Sequence, residues 1–287
     1  MPTTGRSLPS VVLRYDAELL MFDCGEGTQR QMTLARIGLT RKMKIFITHM
    51  HGDHVLGLPG VIQSMSLLGR ENRLDIYGPY GIRAFLECVR ETLAFGLNFP
   101  LEIHELRSGG KIDETHYQIH ATNANHIVPA LSYSFVEKPR PGKFRLAVAR
   151  RLNIPEGPLR KRLQSGDQIT IDGRRIRPQE VVGPSRPGLK ITYTGDTRPS
   201  KALCVFSEKS NLLIHDACFD SSLKDKAEVD GHSTAAQAAQ VAKKARVEKL
   251  ALTHISARYR DPKILLAEAK NIFKASFVAE DLMAIEL

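Results

Sequence analysis

An α/β fold is predicted by three features of this chain. Short apolar runs alternate with segments of helical spacing, several of those runs stop directly on a histidine or an aspartate, and 42% of the 287 residues are hydrophobic, enough to bury a sizeable core. The pattern reads as a single domain over residues 1–287 that carries one insertion.

The elements follow in chain order. Val11 to Leu13 and Glu18 to Phe22 flank Arg14-Tyr15-Asp16-Ala17 and predict a hairpin, and Thr28 to Ile37 has the spacing of a short amphipathic helix. The mostly apolar run Lys44 to Thr48 predicts a strand that delivers His49-Met50-His51-Gly52-Asp53-His54 at its C-terminal end. Val55 to Leu68 is helical in spacing, Leu74 to Tyr77 is a strand bounded by Gly78-Pro79, and Ile82 to Leu93 is helical again. Tyr117 to Ala121 and Leu131 to Phe135 alternate like half-buried antiparallel strands, with His126 between them. Residues 138–187 change in composition to Arg, Lys, Pro and Gly and predict an inserted arm. Regular structure resumes with the strand Leu189 to Thr194, which runs into Gly195-Asp196-Thr197. Asn211 to Ile214 leads into His215-Asp216, Thr234 to Ala245 is an Ala-rich helix, and Lys249 to Thr253 ends at His254. No repeat at a solenoid period interrupts this pattern.

Composition narrows the classes of function. No apolar run is long enough to span a bilayer, and Met1-Pro2-Thr3-Thr4-Gly5-Arg6 has no signal-peptide core, so no membrane partner and a cytoplasmic location are expected. Cys24, Cys88, Cys204 and Cys218 show no Cys-x-x-Cys spacing, which argues against a disulfide framework or a thiolate zinc site. Lys and Arg total 41 against 31 Asp and Glu, and the net charge of +10 favours a polyanionic partner such as nucleic acid.

The chemistry lies at the strand ends. His49, His51, Asp53 and His54 concentrate imidazoles and a carboxylate more tightly than a core accepts without a cation. That donor set, lacking thiolate, suits Zn2+ first, with Mn2+, Fe2+ and Co2+ behind it. Two divalent ions about 3.5–4 Å apart need roughly six to eight donor atoms. The chain supplies them if His49, His51 and His126 hold one ion, Asp53, His54 and His254 hold the other, and Asp196 bridges. Two Zn2+ per chain and no organic cofactor are therefore expected, and a water between two cations is a nucleophile near neutral pH.

The same residues resemble those of the metallo-β-lactamase superfamily. Three further stretches, Phe22-Asp23-Cys24-Gly25-Glu26-Gly27-Thr28-Gln29-Arg30-Gln31, Tyr193-Thr194-Gly195-Asp196-Thr197-Arg198-Pro199 and Leu252-Thr253-His254-Ile255-Ser256-Ala257-Arg258-Tyr259, are similar to the short form of the ribonuclease Z family. The resemblance covers essentially the whole chain and implies an αββα sandwich with a dinuclear centre at one edge of its two sheets. It also implies an endoribonuclease that removes the 3′ trailer from precursor tRNA. That family begins with a strand and a glycine-rich turn ahead of the loop matched by Met1 to Leu8, so the expectation is a sandwich short of its first strand, with Met1 an internal methionine or a mis-assigned start.

Individual roles come with the resemblance. Its His-Glu-Ala-Thr and Gly/Ala-His-Ser-Thr stretches are matched by His215-Asp216-Ala217-Cys218 and Gly231-His232-Ser233-Thr234. By that match His232 protonates the leaving 3′ oxygen, Asp216 orients and charge-stabilises it, and Asp53 binds metal and helps to orient or deprotonate the attacking water. Arg258 and Ser256 would hold a substrate phosphate. Family members are homodimers whose arm, containing a Gly-Pro element, clamps the tRNA elbow from the neighbouring subunit. Gly157-Pro158, with Arg150, Arg151, Arg160, Lys161 and Arg162 around it, is similar. A departure is Asp216, one methylene shorter than the family's glutamate. The competing readings are a small-molecule phosphodiesterase or other hydrolase of the superfamily, and a catalytically silent RNA-binding relative. His104, His116 and His120 read as ordinary histidines.

Overall fold

The first apolar runs pair as a sheet. In the computed structural model, which describes residues 1–287, β1 (Val11–Tyr15) pairs antiparallel with β2 (Glu18–Phe22) around Asp16, whose φ is 50°. Helix α1 (Thr28–Leu34) leads to β3 (Met43–Phe46), which lies parallel to β2 and ends just before the histidine run. The one helix expected over Val55 to Leu68 is two, α2 (Gly52–Val55) and α3 (Leu58–Leu67). The break falls at Gly57, where a Cβ would lie 2.1 Å from the carbonyl oxygen of Gly25. There the Gly57 N–H donates to Cys24 O at 2.9 Å and the Cys24 N–H donates to His54 O at 2.8 Å, which fastens the helix junction to the end of β2. Strand β4 (Leu74–Gly78), helix α4 (Ile82–Thr92) and strand β5 (Leu101–Glu105) complete a sheet of order β1-β2-β3-β4-β5, parallel from β2 onward.

The second sheet begins with β6 (Lys111–Asp113), β7 (Tyr117–Asn123) and β8 (Leu131–Glu137). Before it continues, the chain forms α5 (Leu146–Arg151), α6 (Pro158–Gln164), the strands β9 (Ile169–Ile171) and β10 (Arg174–Ile176), and α7 (Pro178–Val181). It then adds β11 (Lys190–Tyr193), α8 (Lys201–Phe206), β12 (Leu212–Asp216), α9 (Lys224–Asp230), α10 (Ala235–Ala245), β13 (Lys249–Thr253), α11 (Lys263–Ile272) and β14 (Ser276–Val278). The sheet order is β14-β13-β12-β11-β8-β7-β6, with β11 to β14 parallel.

Alternation along the strands sorts side chains into layers. Leu19, Met21, Met43 and Ile45 face Leu58, Val61, Ile62 and Met65 of α3, whereas Phe22 and Phe46 turn the other way and meet Tyr133 of β8 at 6.1 and 5.5 Å between ring centroids. Leu213, Leu250 and Leu252 pack on the alanine face of α10 and on Leu265 of α11. The result is helix, sheet, sheet, helix, the layer order that the resemblance implies. Helix α10 starts with a capping box in which Thr234 Oγ1 accepts the Gln237 N–H at 3.2 Å and Gln237 Oε1 accepts the Thr234 N–H at 2.8 Å.

By internal contacts the chain divides into two compact units. Met1–Asp113, Ile119–Phe135 and Lys190–Leu287 form the first, and Glu114–Gln118 with Val136–Leu189 the second. Within the second unit Ala149, Ile154, Leu163, Ile169, Ile176 and Val181 make a small apolar core. Asp172 and Gly173, both at positive φ, turn β9 into β10, the Asp-Gly geometry of a type I′ hairpin. Gly157 caps α6 at φ 106° and ψ −138°, a conformation that suits glycine alone, and Pro158 follows at the first helical position.

Candidate metal centre

Every side chain of the centre leaves the C-terminal end of a strand or the loop after it. His49, His51, Asp53 and His54 follow β3, His126 lies between β7 and β8, Asp196 follows β11, and His254 follows β13 with a left-handed φ of 57°. The ligand atoms of His49, His51, His126 and Asp196 all lie within 4.8 Å of one another, as do those of Asp53, His54 and His254. His51 Nδ1 is 3.1 Å from His49 Nε2 and 3.4 Å from His126 Nε2. Asp196 Oδ2 stands between the two groups, 3.6 Å from His49 Nε2, 3.3 Å from His54 Nε2 and 3.4 Å from His254 Nε2. Asp53 Oδ2 is 3.5 Å from His254 Nε2 and 3.8 Å from His54 Nε2.

The surrounding bonds decide which imidazole nitrogen carries the proton. Asp23, buried at the end of β2, accepts the Thr48 N–H at 2.7 Å, the Thr48 hydroxyl, the Tyr193 hydroxyl at 2.8 Å and His54 Nδ1–H at 2.7 Å. Since the Thr48 hydroxyl donates to that carboxylate, its oxygen accepts from His49 Nδ1–H at 3.0 Å. His126 Nδ1–H donates to Gly231 O at 2.7 Å. All three rings therefore turn Nε2, and not Nδ1, toward the cluster.

Imidazole nitrogens and carboxylates crowded at these distances call for positive charge among them, supplied by protons in the metal-free protein and by a metal ion that would displace them. His54 Nε2 and Asp196 Oδ1 are buried without a hydrogen-bond partner. Burial and the charge of His54 push the His49 pKa down to about 2. Burial also opposes charge on His54, yet Asp196 and Asp23 outweigh it and raise its pKa to about 10. A donor set of imidazole and carboxylate with orphaned inward atoms fits divalent cations.

Beside this cluster, His232 Nδ1–H donates to Asp216 Oδ2 at 2.9 Å, so the shorter aspartate still reaches the imidazole. Asp216 is fully buried and also accepts backbone N–H groups from Thr197 at 3.1 Å, Ser233 at 3.3 Å and Cys218 at 3.1 Å, which hold its carboxyl group in place. Burial lowers the His232 pKa, but the bond and charge of Asp216 more than offset this, and the net shift is upward. Arg258 and Ser256 are on the loop after His254, with Arg258 Nε donating to Ser256 Oγ at 3.2 Å.

The arm residues lie in the second unit. Arg150 and Arg151 end α5, and Lys161 and Arg162 are exposed on α6. Arg160 differs: its guanidinium donates to Ile154 O at 3.0 Å and to Glu156 at 2.8 Å, so it braces the unit. Asp23, Thr48 and Tyr193 were given no role from the sequence. Asp23 carried the same signal as the ligands, an acid directly after an apolar run.

Comparison with known proteins agrees with this architecture. The chain is similar to the metallo-β-lactamase fold protein YhfI from Bacillus subtilis, with a TM-score of 0.69 and 17% identity over 98% of this chain and 91% of that one. The four layers and the strand-end cluster thus define a metallo-β-lactamase fold. Ribonuclease Z of Methanothermobacter thermautotrophicus is 44% identical over all of this chain and 93% of its own length. The structure of human tRNase Z, short form, superposes with a TM-score of 0.72 and 29% identity, covering 99% of this chain and 94% of that one. A family model described as anti-Pycsar protein Apyc1 matches residues 8–139. The chain belongs to the ribonuclease Z family.

Proposed function

We propose that the protein is a zinc-dependent endoribonuclease that removes the 3′ trailer from precursor tRNA. The observation that carries this reading is the pairing of the seven-ligand cluster with the His232–Asp216 dyad beside it, in a chain of this family. His49, His51 and His126 would hold one Zn2+, Asp53, His54 and His254 the other, and Asp196 both. When bound, two such cations supply a water acidic enough to attack phosphorus and the positive charge that the transition state needs.

The chain's own groups do the rest. Asp53 orients the attacking water and takes its proton, and Arg258 with Ser256 holds the phosphate. The bond between phosphorus and the tRNA 3′ oxygen breaks, and His232 gives its proton to that oxygen while Asp216 stabilises the imidazolium. The tRNA leaves with a 3′ hydroxyl and the trailer with a 5′ phosphate. Arg150, Arg151, Lys161 and Arg162, beside Gly157-Pro158, contact the tRNA backbone by charge.

Leu34 on α1 and Leu67 and Leu68 at the end of α3 are exposed apolar side chains, which a second copy covers in the proposed homodimer. No helix is long and apolar enough to cross a membrane, and a cytoplasmic location is proposed with the substrate. The test is a 3′-extended tRNA transcript incubated with the purified protein, with both product ends mapped. A cut at the 3′ end of the acceptor stem that leaves the stated ends is expected; cleavage elsewhere, or none that chelator abolishes, contradicts the reading.

A further inference from the structure

Arg6 lies in the loop ahead of β1, half-buried and far in sequence from every residue of the centre. Its Nη2 donates to Tyr259 O at 2.7 Å and to Ser256 O at 3.1 Å. Those two residues are the ends of one β-turn: the Tyr259 N–H donates to Ser256 O at 3.1 Å, and Ala257 and Arg258 form the corner. A single cationic nitrogen therefore binds both ends of the turn, through charge-assisted bonds of roughly twice the strength of neutral ones.

The turn holds Arg258 in a defined place. The Arg258 guanidinium lies over the Phe219 ring, 5.1 Å from its centroid, and Phe219 meets the His232 imidazole edge-on at 6.2 Å. The Tyr259 hydroxyl accepts the Asp220 N–H at 2.9 Å, which ties the turn to the segment carrying Phe219. At the other end Arg6 is itself fixed, because Thr3 Oγ1 accepts the Arg6 N–H at 3.0 Å and the Ser7 N–H donates to Asp281 Oδ2 at 2.9 Å. The path runs from a braced loop through one guanidinium to a turn, and from the turn to a second guanidinium stacked on the Phe219 ring that meets His232.

We infer that Arg6 is a positioning residue for phosphodiester cleavage: it fixes the Ser256–Tyr259 turn and through it aims Arg258 at the scissile phosphate. The inference rests on the proposed phosphate-holding role of Arg258. The Arg6 guanidinium hydrogen-bonds to backbone carbonyls of the turn, so its effect passes through the residue that the turn carries.

A double-mutant cycle on the full chain with 3′-extended tRNA reads this directly, with metal content measured for each variant. Arg6→Ala lowers kcat/KM about tenfold in the wild-type background, whereas in an Arg258→Ala background it costs about twofold or less. Arg6→Lys, which replaces the planar fork with a point charge, falls between wild type and Arg6→Ala, and it carries the cycle if Arg6→Ala does not fold. Equal losses in both backgrounds overturn the inference while leaving the role of Arg258 intact. Full activity of Arg258→Ala removes that role and this inference with it.

Discussion

Asp23 spends its carboxylate on four donors, and two of them, His54 and Thr48, fix the tautomers of imidazoles in the cluster. Loss of such an outer partner weakens metal affinity about 10–100-fold, so Asp23→Ala is expected to release zinc to a buffered chelator at correspondingly higher free zinc. Affinity unchanged within error would show that the ligands are set by packing alone. His232→Ala should keep its metal yet lose about 10²–10⁴-fold in single-turnover cleavage, the range for a missing general acid. The pH dependence follows from Asp216. His232 must be protonated to donate, and its raised pKa keeps the proton to higher pH; activity therefore falls as pH rises through that pKa. Asp216→Asn removes the charge that raises it, and the alkaline limb of the kcat/KM profile moves to lower pH. A limb that stays in place would assign it to another group.

Elements owe their usefulness here to where they stop. Strands β3, β11 and β13 run into His49, Asp196 and His254, and β12 ends on Asp216, because each apolar run gives way to polar residues that are accommodated only where the cluster or its hydrogen bonds pair them. This is why the strand-end residues were legible in the sequence, whereas β5, with its alternating charges, and the three-residue β6 and β14 were not: their apolar content is too small to mark a strand. The helix break at Gly57 was hidden too, since it arises from contact with Gly25, distant in sequence. Gly57→Ala is expected to destabilise by about 1–3 kcal/mol or more, and Gly96→Ala, where a Cβ meets nothing within 4 Å, to be close to neutral. Comparable chemical denaturation midpoints for the two would contradict the packing argument. In the second unit, composition marked residues 138–187 as unlike the rest, but six core side chains interspersed among charges gave no periodic signal. The exposed Lys161 and Arg162, and not the internally bonded Arg160, are the positions for charge reversal. Lys161→Glu with Arg162→Glu should raise KM for tRNA and flatten its salt dependence, with kcat little changed.

At the scale of the molecule, a basic chain of net charge +10 carries a cation-binding cluster where its parallel strands end, and both attract a phosphate backbone. The histidine run alone identified a metal-dependent enzyme. The dyad beside it and membership of the ribonuclease Z family make the proposed reaction specific, and the hydrogen bonds of Asp23 hold the His54 imidazole and, through Thr48, that of His49 in place. The most direct measurement is cleavage of 3′-extended tRNA by metal-free protein titrated with zinc. Activity should rise from none and saturate at two equivalents per chain, in step with filling of the His49–His51–His126 and Asp53–His54–His254 groups. Cleavage that persists in excess chelator, or that saturates at a single equivalent, would contradict the dinuclear account.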